Sequence, residues 1–173
     1  MVTGDEVPGE DAQIIGYDVA KVEAWVDEHV DSLEPPFVWT KLEGGHSNLT
    51  YRIDSANGGR SAVIRRPPMG ELLPKAHDMG REWSCISALW PTPVPVAEPL
   101  AFCETPDVTG AHFYVMGLVE GNAVYNAEDV EAYIAEPDRQ TMAESWIDTL
   151  AALHSLDPDE IGLSDLGRKE DYV

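Results

Sequence analysis

The chain has 173 residues, of which 11 are basic and 32 acidic, so its formal net charge is −21. Nucleic acids and anionic membranes would repel so acidic a chain, so we expect neither as a partner. No apolar run reaches about 18 residues and the N-terminus has no apolar segment, which predicts neither a membrane span nor a secretory signal. Two cysteines, Cys85 and Cys103, fit a reduced compartment better than a disulfide framework. We therefore expect a cytoplasmic globular protein.

The first predicted helix follows an acidic N-terminal segment. Residues 1–16 contain glycine and proline and show no hydrophobic periodicity, which indicates a flexible acidic tail. Asp18 can cap a helix, and apolar residues recur after it at three- and four-residue spacing as far as Val30. Pro35-Pro36 ends this pattern. The sequence therefore predicts one amphipathic helix before the first strand.

Three strands follow as a predicted antiparallel meander. The segments 37–42, 48–54 and 60–66 are rich in β-branched and aromatic residues. Between the second and third lies Asn57-Gly58, a strong hairpin signal. Pro67-Pro68 stops the third strand. The meander places two arginines at the end of its last strand.

The rest of the chain predicts one helix, two strands and a helical region. Helical spacing of apolar residues predicts a helix over about 75–90, and four prolines make 91–100 extended. Strands are expected near 97–103 and over 111–119, and a long helix over 139–157. The predicted order is β-β-β-α-β-β followed by helices, which is an α+β arrangement.

Four features of this order suit a nucleoside triphosphate. A glycine-containing loop, Gly44-Gly45-His46-Ser47, lies between the first two strands, and glycine lets a backbone approach phosphates closely. Arg65 ends the third strand and supplies a cation, while Glu82 in the next helix supplies an acid that can hold it. The segment 116–119, with the sequence MGLV, ends the fifth strand and offers backbone groups to an adenine edge.

This order resembles the N-terminal lobe of the protein-kinase-like fold, and specifically the aminoglycoside phosphotransferase family. The resemblance covers roughly residues 38–173, and the ordered set of motifs is more specific than any one of them. The segment from RRPP to LLPKAHDMGRE also resembles kinase domains that accompany acyl-CoA dehydrogenases. The motifs that carry the family resemblance are GGHSNLTY, AVIRRPP, REWSCISAL, VPVAEPLAFCE, FYVMGLVEG and TLAALHSLD.

The resemblance implies a specific division of the chain. It implies a protein-kinase-like N-lobe of the α+β class, with a five-stranded antiparallel sheet and one αC-type helix. The lobe and its N-terminal helix would occupy 17–116, after the tail of 1–16. A hinge would follow at 117–122. Residues 123–173 would be the first helices of an incomplete C-lobe.

The resemblance also implies the residues that bind ATP. Arg65 would take the place of the third-strand lysine and pair with Glu82. Met116 would stand at the back of the nucleotide pocket, and the backbones of Gly117 and Val119 would meet the adenine. The full predicted set is Gly44, Gly45, His46, Ser47, Asn48, Val63, Arg65, Glu82, Met116, Gly117, Leu118 and Val119.

Four of these assignments have alternatives that the residues leave open. Gly44-Gly45 could be a plain hairpin turn, and Glu82 an ordinary surface residue of a helix. Arg66 is a rival to Arg65, although side chains alternate along a strand and Arg66 should point to the opposite face of the sheet. His46 is more simply read as a solvated loop residue than as a catalyst.

The catalytic half of the family pattern does not occur in these 173 residues. The resemblance implies an H-G-D-x-x-x-x-N loop and a following I-D-W-type motif, and neither is found; HSLD at 154–157 and SDLG at 164–167 are only partial matches. We therefore predict no catalytic and no metal-binding residue in this chain, and Mg²⁺ only in the complete protein.

The predicted function is the nucleotide-binding portion of an ATP-dependent phosphotransferase that acts on the hydroxyl of an unidentified small molecule. On this prediction the chain alone is inactive. The alternative is an inactive, pseudokinase-like fragment that works by association with another chain. Separately, we expect Trp146, Leu150 and Leu153 of the last helix to form an exposed apolar face that the missing lobe would cover and that would drive association.

Overall fold

The computed structural model describes residues 14–42, 48–70 and 77–167. These contain five strands, four α-helices and one short 3₁₀ helix at Glu136–Asp138. The strands are β1 (Phe37–Lys41), β2 (Leu49–Ser55), β3 (Ser61–Arg66), β4 (Pro99–Cys103) and β5 (Phe113–Gly117). The helices are α1 (Val19–His29), α2 (Met79–Leu89), α3 (Ala127–Tyr133) and α4 (Arg139–His154).

The strands form one five-stranded antiparallel sheet in the order β1-β2-β3-β5-β4. This confirms the predicted α+β class and the predicted sheet. The β2–β3 hairpin turns through Asn57-Gly58, and Gly58 has φ +81°, a left-handed conformation that glycine adopts without strain. The turn fixes the register, so that Asp54 lies opposite Ser61 and Thr50 opposite Arg65.

Helix α1 begins where the sequence predicts. Asp18 lies in an extended conformation and its Oδ1 accepts a hydrogen bond from the Lys21 backbone N–H at 3.3 Å, so it caps the helix. One carboxylate oxygen of Glu23 accepts from the Phe37 backbone N–H at 3.0 Å and from Trp39 Nε1 at 3.3 Å. These two bonds join the helix to the edge strand β1.

The hydrophobic core lies between α1 and one face of the sheet. Val22 and Val26 of α1 are fully buried, and the Trp25 ring meets the Phe113 ring edge-on at 4.9 Å between centroids. The sheet contributes alternate residues of each strand to this core, because successive side chains of a strand point to opposite faces. Its buried members in this core are Phe37, Trp39, Tyr51, Ile53, Ala62, Ile64, Cys103, Phe113 and Val115.

The segment just before α1 packs on the same face. The Ile15 backbone N–H donates to Tyr51 Oη, and Tyr17 Oη donates to the Leu49 carbonyl, each at 3.1 Å. Gly16 has φ +85°, and a Cβ there would lie 2.5 Å from a methyl group of Leu49. Of the predicted tail, residues 14–16 therefore belong to the packed structure, and 1–13 lie outside the described residues.

Several element boundaries differ from the predicted ones. The prediction began α2 near residue 75, but His77 has φ +56° and the helix begins at Met79. A left-handed residue interrupts a right-handed helix, so the helix cannot extend back through His77. The long C-terminal helix ends at His154 rather than at 157, and β5 covers only Phe113–Gly117 of the predicted 111–119.

The chain divides into two compact units. The first comprises residues 1–80 and 99–118 and contains the sheet and α1; the second comprises 81–98 and 119–173 and contains most of α2 with α3 and α4. The division at 118/119 lies within the predicted hinge of 117–122. Within the part of the chain that the structure describes, no helix has the length and apolarity needed to cross a membrane.

Candidate functional site

The register of the sheet collects three of the predicted site residues on one face. Val63 lies directly opposite Met116, and Arg65 lies two residues farther along β3, opposite Tyr114. Residues directly opposite in antiparallel strands share a face. We call this face, which is turned away from α1, the Arg65 face, and the other the α1 face. The Arg65 face carries Thr50, Arg52, Val63, Arg65, Tyr114 and Met116.

The Arg65 face changes from apolar to cationic along β3. Val63 is only 4% exposed, although it is not part of the α1 core, and Met116 beside it is half-buried. Arg65 follows after one pleat repeat, about 7 Å along the strand. An apolar surface followed by a cation is the arrangement that a flat base joined to a phosphate chain requires.

Arg65 makes a hydrogen bond across the hairpin. Its Nη1 donates to Oγ1 of Thr50 at 3.0 Å. The two residues are paired in the β2–β3 register, so the bond joins neighbouring strands on the Arg65 face.

Arg66, the rival candidate, has a different environment. It is 4% exposed on the α1 face, where Nη1 donates to the carbonyls of Gly16 and Thr109 (2.7 Å to the latter) and Nε donates to the Pro67 carbonyl at 3.1 Å. Its guanidinium also lies over the Tyr17 ring, 5.9 Å from the centroid. Burial lowers the pKa of Arg66 and raises the pKa of Tyr17. Arg66 therefore holds together three backbone segments.

A second arginine on the Arg65 face, Arg52, forms an ion pair with Asp54 of the same strand. Arg52 Nε and Nη2 approach the carboxylate of Asp54 at 2.8 Å, and Ser61 Oγ also donates to that carboxylate. Burial alone would raise the pKa of Asp54, but the hydrogen bonds from Arg52 and Ser61 and the charge of Arg52 outweigh it and lower the pKa. Arg52 and Asp54 thus form an ion pair within β2.

Asn48, a predicted nucleotide contact, is tied to the segment before α2. The Asn48 side-chain amide and Nδ1 of His77 lie within hydrogen-bonding distance, 2.7 Å apart. Asn48 is 9% exposed. His77 is, within the described ranges, the non-glycine residue with a positive φ, and such a conformation persists only where the surroundings fix it.

The remaining predicted residues lie on both units. Glu82 is half-buried in the first turn of α2, in the second unit, and its pairing with Arg65 stays a prediction. Gly117 ends β5 opposite Ala62, and Leu118 follows it directly. Val119 is 70% exposed. Gly44, Gly45, His46 and Ser47 lie outside the described residues.

The sequence prediction missed Thr50 as a neighbour of Arg65. The signal was present, because the Asn57-Gly58 turn pairs residues at equal distances on either side of it. Seven residues back from Asn57 is Thr50, and seven residues on from Gly58 is Arg65. Tyr114 could not be found in this way, since β3 and β5 are separated by 46 residues of other structure.

Metal ligands are not grouped in the parts of the chain that the structure describes: no three histidine, cysteine or carboxylate side chains there lie close enough to hold an ion. The residues of the Arg65 face instead fit the organic part and the phosphates of a nucleotide. Met116 offers a half-buried apolar side chain beside the buried Val63, and Arg65 a planar cation suited to phosphate oxygens.

The chain belongs to the phosphotransferase enzyme family, whose model matches residues 38–173. The solved structure of a putative aminoglycoside phosphotransferase from Ralstonia eutropha covers 88% of this chain with a TM-score of 0.70 and 28% sequence identity. The fold is therefore that of the kinase-like phosphotransferases, as the sequence resemblance predicted.

The curated relatives that match this chain are named as acyl-CoA dehydrogenase family members and not as phosphotransferases. The chain is 31% identical over 160 residues to acyl-CoA dehydrogenase family member 11 of Rattus norvegicus, and 40% identical over 132 residues to the Gallus gallus protein of the same name. These matches cover 90% and 76% of this chain, but only 20% and 16% of the relatives. The chain thus spans about a fifth of their length, and 42% of the Ralstonia protein.

Proposed function

We propose that this chain is the nucleotide-binding portion of an ATP-dependent phosphotransferase that transfers a phosphoryl group to the hydroxyl of a small molecule. Family membership supports phosphoryl transfer as the reaction class. The observation that carries the nucleotide assignment is that the β3–β5 register places Val63, Met116 and Arg65 together on the Arg65 face. Bound ATP would supply the phosphoryl group.

Each residue of the proposed site has a distinct role. Val63 and Met116 contact the base, Arg65 binds the phosphates, and the backbone of 117–119 hydrogen-bonds the adenine edge. In this proposal Gly44 to Asn48 cover the phosphates. Arg65 is favoured over Arg66 as the phosphate contact because it shares a face with Val63 and Met116 and is half-buried, whereas Arg66 is 4% exposed on the α1 face.

Calorimetric titration with ATP tests the proposal. We expect Arg65→Ala to weaken ATP binding about tenfold or more, the loss typical of a charged hydrogen bond to phosphate. Arg60→Ala is the matched control, since it removes an arginine just before β3, at the opposite end of the strand, where Arg60 Nη1 contacts Ser32 Oγ at 3.4 Å. The control should bind ATP within about twofold of the unchanged chain. Equal affinities for all three proteins would contradict the proposal.

We propose further that the chain alone does not transfer phosphate. Phosphoryl transfer needs an aspartate that orients the acceptor hydroxyl and groups that hold Mg²⁺, and the family's motifs for both are absent from these 173 residues. Turnover of ATP by the chain above the background of a Gly44→Ala/Arg65→Ala double variant would refute this.

The acceptor would be identified with the complete protein. The relatives' name refers to an acyl-CoA and the Ralstonia protein's name to an aminoglycoside, so a hydroxyl-bearing acyl-CoA and an aminoglycoside are both candidate acceptors. Radiolabelled γ-phosphate transfer to a hydroxyacyl-CoA, to choline, to a hexose and to kanamycin would separate these acceptors. The free cysteines Cys85 and Cys103 support a cytoplasmic location for this reaction.

A second candidate function is association with another chain in the absence of catalysis. Within α3 and α4 no residue is buried, and Trp146, Leu150 and Leu153 of α4 are 72%, 42% and 41% exposed. They follow at spacings of four and three residues and so share one side of the helix. Light scattering at high concentration tests this: a strict monomer would count against the second function.

A further inference from the structure

The hydrogen bond between Arg65 and Thr50 has a consequence for nucleotide binding. Nη1 of Arg65 donates to Thr50 Oγ1 at 3.0 Å, and the two residues are directly paired between β2 and β3. Both are half-buried on the Arg65 face. The bond fixes one corner of a planar group at the end of a long, flexible side chain.

We propose that Thr50 is a positioning residue that orients the Arg65 guanidinium for the phosphates of the nucleotide. This inference rests on the proposed function, in which Arg65 binds those phosphates. A phosphate takes two parallel N–H bonds from a guanidinium only if the plane of the fork faces it. A fork that is already oriented has less side-chain freedom to lose on binding, and the affinity rises accordingly.

Threonine is well suited to this role at position 50. Its β-branched side chain has few rotamers, so the hydroxyl has a fixed direction on the strand. The flanking ladder is regular, with Leu49 opposite Arg66 and Tyr51 opposite Ile64, so the backbone of Thr50 cannot shift independently. A fixed acceptor can orient a planar donor, whereas a mobile one cannot.

The Thr50–Arg65 pair also explains why position 65 is arginine, where kinase-like motifs have lysine. An ammonium group is a compact point charge with no plane to orient. A hydroxyl beside it would therefore add little to phosphate binding. Thr50 favours arginine at position 65, and the benefit of the Thr50 hydroxyl should disappear when position 65 is lysine.

Two variants with and without the hydroxyl test its role in the 173-residue chain. Thr50→Val keeps the shape and β-branching of threonine but removes the hydroxyl, while Thr50→Ser keeps the hydroxyl. By calorimetric titration we expect Thr50→Val to weaken ATP binding about fivefold and Thr50→Ser to stay within about twofold. In an Arg65→Lys background, Thr50→Val should change ATP affinity by less than about twofold.

A spectroscopic measurement separates orientation from general stability. Rotation about the Nε–Cζ bond of Arg65, measured by NMR of the nitrogen-labelled guanidinium without nucleotide, should be slow in the unchanged chain and in Thr50→Ser. It should be faster in Thr50→Val. A purely structural role for Thr50 would change the unfolding midpoint but would not link Arg65 rotation to ATP affinity.

The outcomes distinguish the inference from the function on which it rests. If Arg65→Ala weakens ATP binding but Thr50→Val and Thr50→Ser bind ATP equally well, Thr50 does not position Arg65 and the inference is overturned while the function stands. The same follows if Thr50→Val weakens binding by the same factor in the unchanged chain and in the Arg65→Lys background. If Arg65→Ala leaves ATP binding unchanged, the proposed function fails and the inference fails with it.

Discussion

The two faces of the sheet are built from the same strands but by different kinds of interaction. The α1 face is covered by apolar side chains in contact with α1, and its single buried guanidinium in the described chain, that of Arg66, is bound to backbone carbonyls. The Arg65 face carries polar side-chain contacts: Arg65 with Thr50 between β2 and β3, and Arg52 with Asp54 along β2. One face stabilises the fold, and the other presents charge and hydrogen-bonding groups at defined positions.

Adjacent residues of β3 show how sharp this difference is. Arg65 and Arg66 are the same residue type, one position apart, yet they lie on opposite faces because side chains alternate along a strand. Arg66 is nearly inaccessible, whereas Arg65 is half-exposed. A shift of one residue in the hairpin register would exchange their roles, so the Asn57-Gly58 turn determines which arginine can meet a ligand.

The largest expected effect is on the α1 face. Phe113→Ala should lower the free energy of unfolding by about 3–5 kcal/mol, because Phe113 is fully buried and its removal leaves a cavity beside Trp25. Met116→Ala, on the Arg65 face of the same strand, should cost less, since Met116 is only half-buried. Urea denaturation measures both. Equal losses would mean that the two faces do not differ in their contribution to stability.

The next effect compares the two arginines with one substitution. Arg66→Met should lower the free energy of unfolding by about 3 kcal/mol, because the buried carbonyls of Gly16 and Thr109 lose their donor. Arg65→Met should lower it by less than Arg66→Met does, since Arg65 is half-buried whereas Arg66 is 4% exposed and bonded to buried carbonyls. Thermal or urea unfolding checks both, and a larger loss for Arg65→Met would reverse the assignment of the two roles.

A smaller effect concerns the bond that holds Asn48 next to β2. His77→Ala and His77→Gly both remove the bond to Asn48, but only glycine adopts φ +56° without strain. We expect His77→Gly to be more stable than His77→Ala by about 1 kcal/mol, and both to be less stable than the unchanged chain. If alanine were the better replacement, the left-handed conformation of His77 would not be a property of the fold.

The smallest effect is the pH dependence of the Arg52–Asp54 pair. The pKa of Asp54 lies below its ordinary value of 3.8, so the fold favours the ionised carboxylate. Its contribution to stability is present above about pH 4 and is lost as the pH falls through the lowered pKa. The urea midpoint of the unchanged chain should therefore exceed that of Asp54→Asn at about pH 6, and the difference should shrink at about pH 3. A constant difference would show that the charge of Asp54 is not involved.

Much of the fold could be read from local patterns. The α1 helix follows from the Asp18 cap and the spacing of Val22 and Val26, and the β2–β3 hairpin from Asn57-Gly58. These signals act over a few residues, so no distant contact is needed to interpret them. The start of α2 was predicted too early because a left-handed His77, held by the distant Asn48, has no local signal of its own.

Only part of the candidate site could be predicted from such local patterns. Val63, Arg65 and Met116 were chosen from a family resemblance, and β3–β5 pairing then brings them onto one face. Thr50 was overlooked although the hairpin implied it. Gly44, Gly45, His46 and Ser47 lie outside the described residues, and their role in covering phosphates stays a prediction.

The sequence by itself determined the α+β order of elements, the turns between neighbouring strands and the family, because each depends on short-range pattern or on ordered motifs. The tertiary structure alone decided which face of the sheet α1 covers and that Tyr114 lies opposite Arg65. It also decided that Arg66 serves the carbonyls of Gly16 and Thr109. These depend on contacts between residues far apart in the chain, and such contacts form only when the whole sheet buries its apolar face.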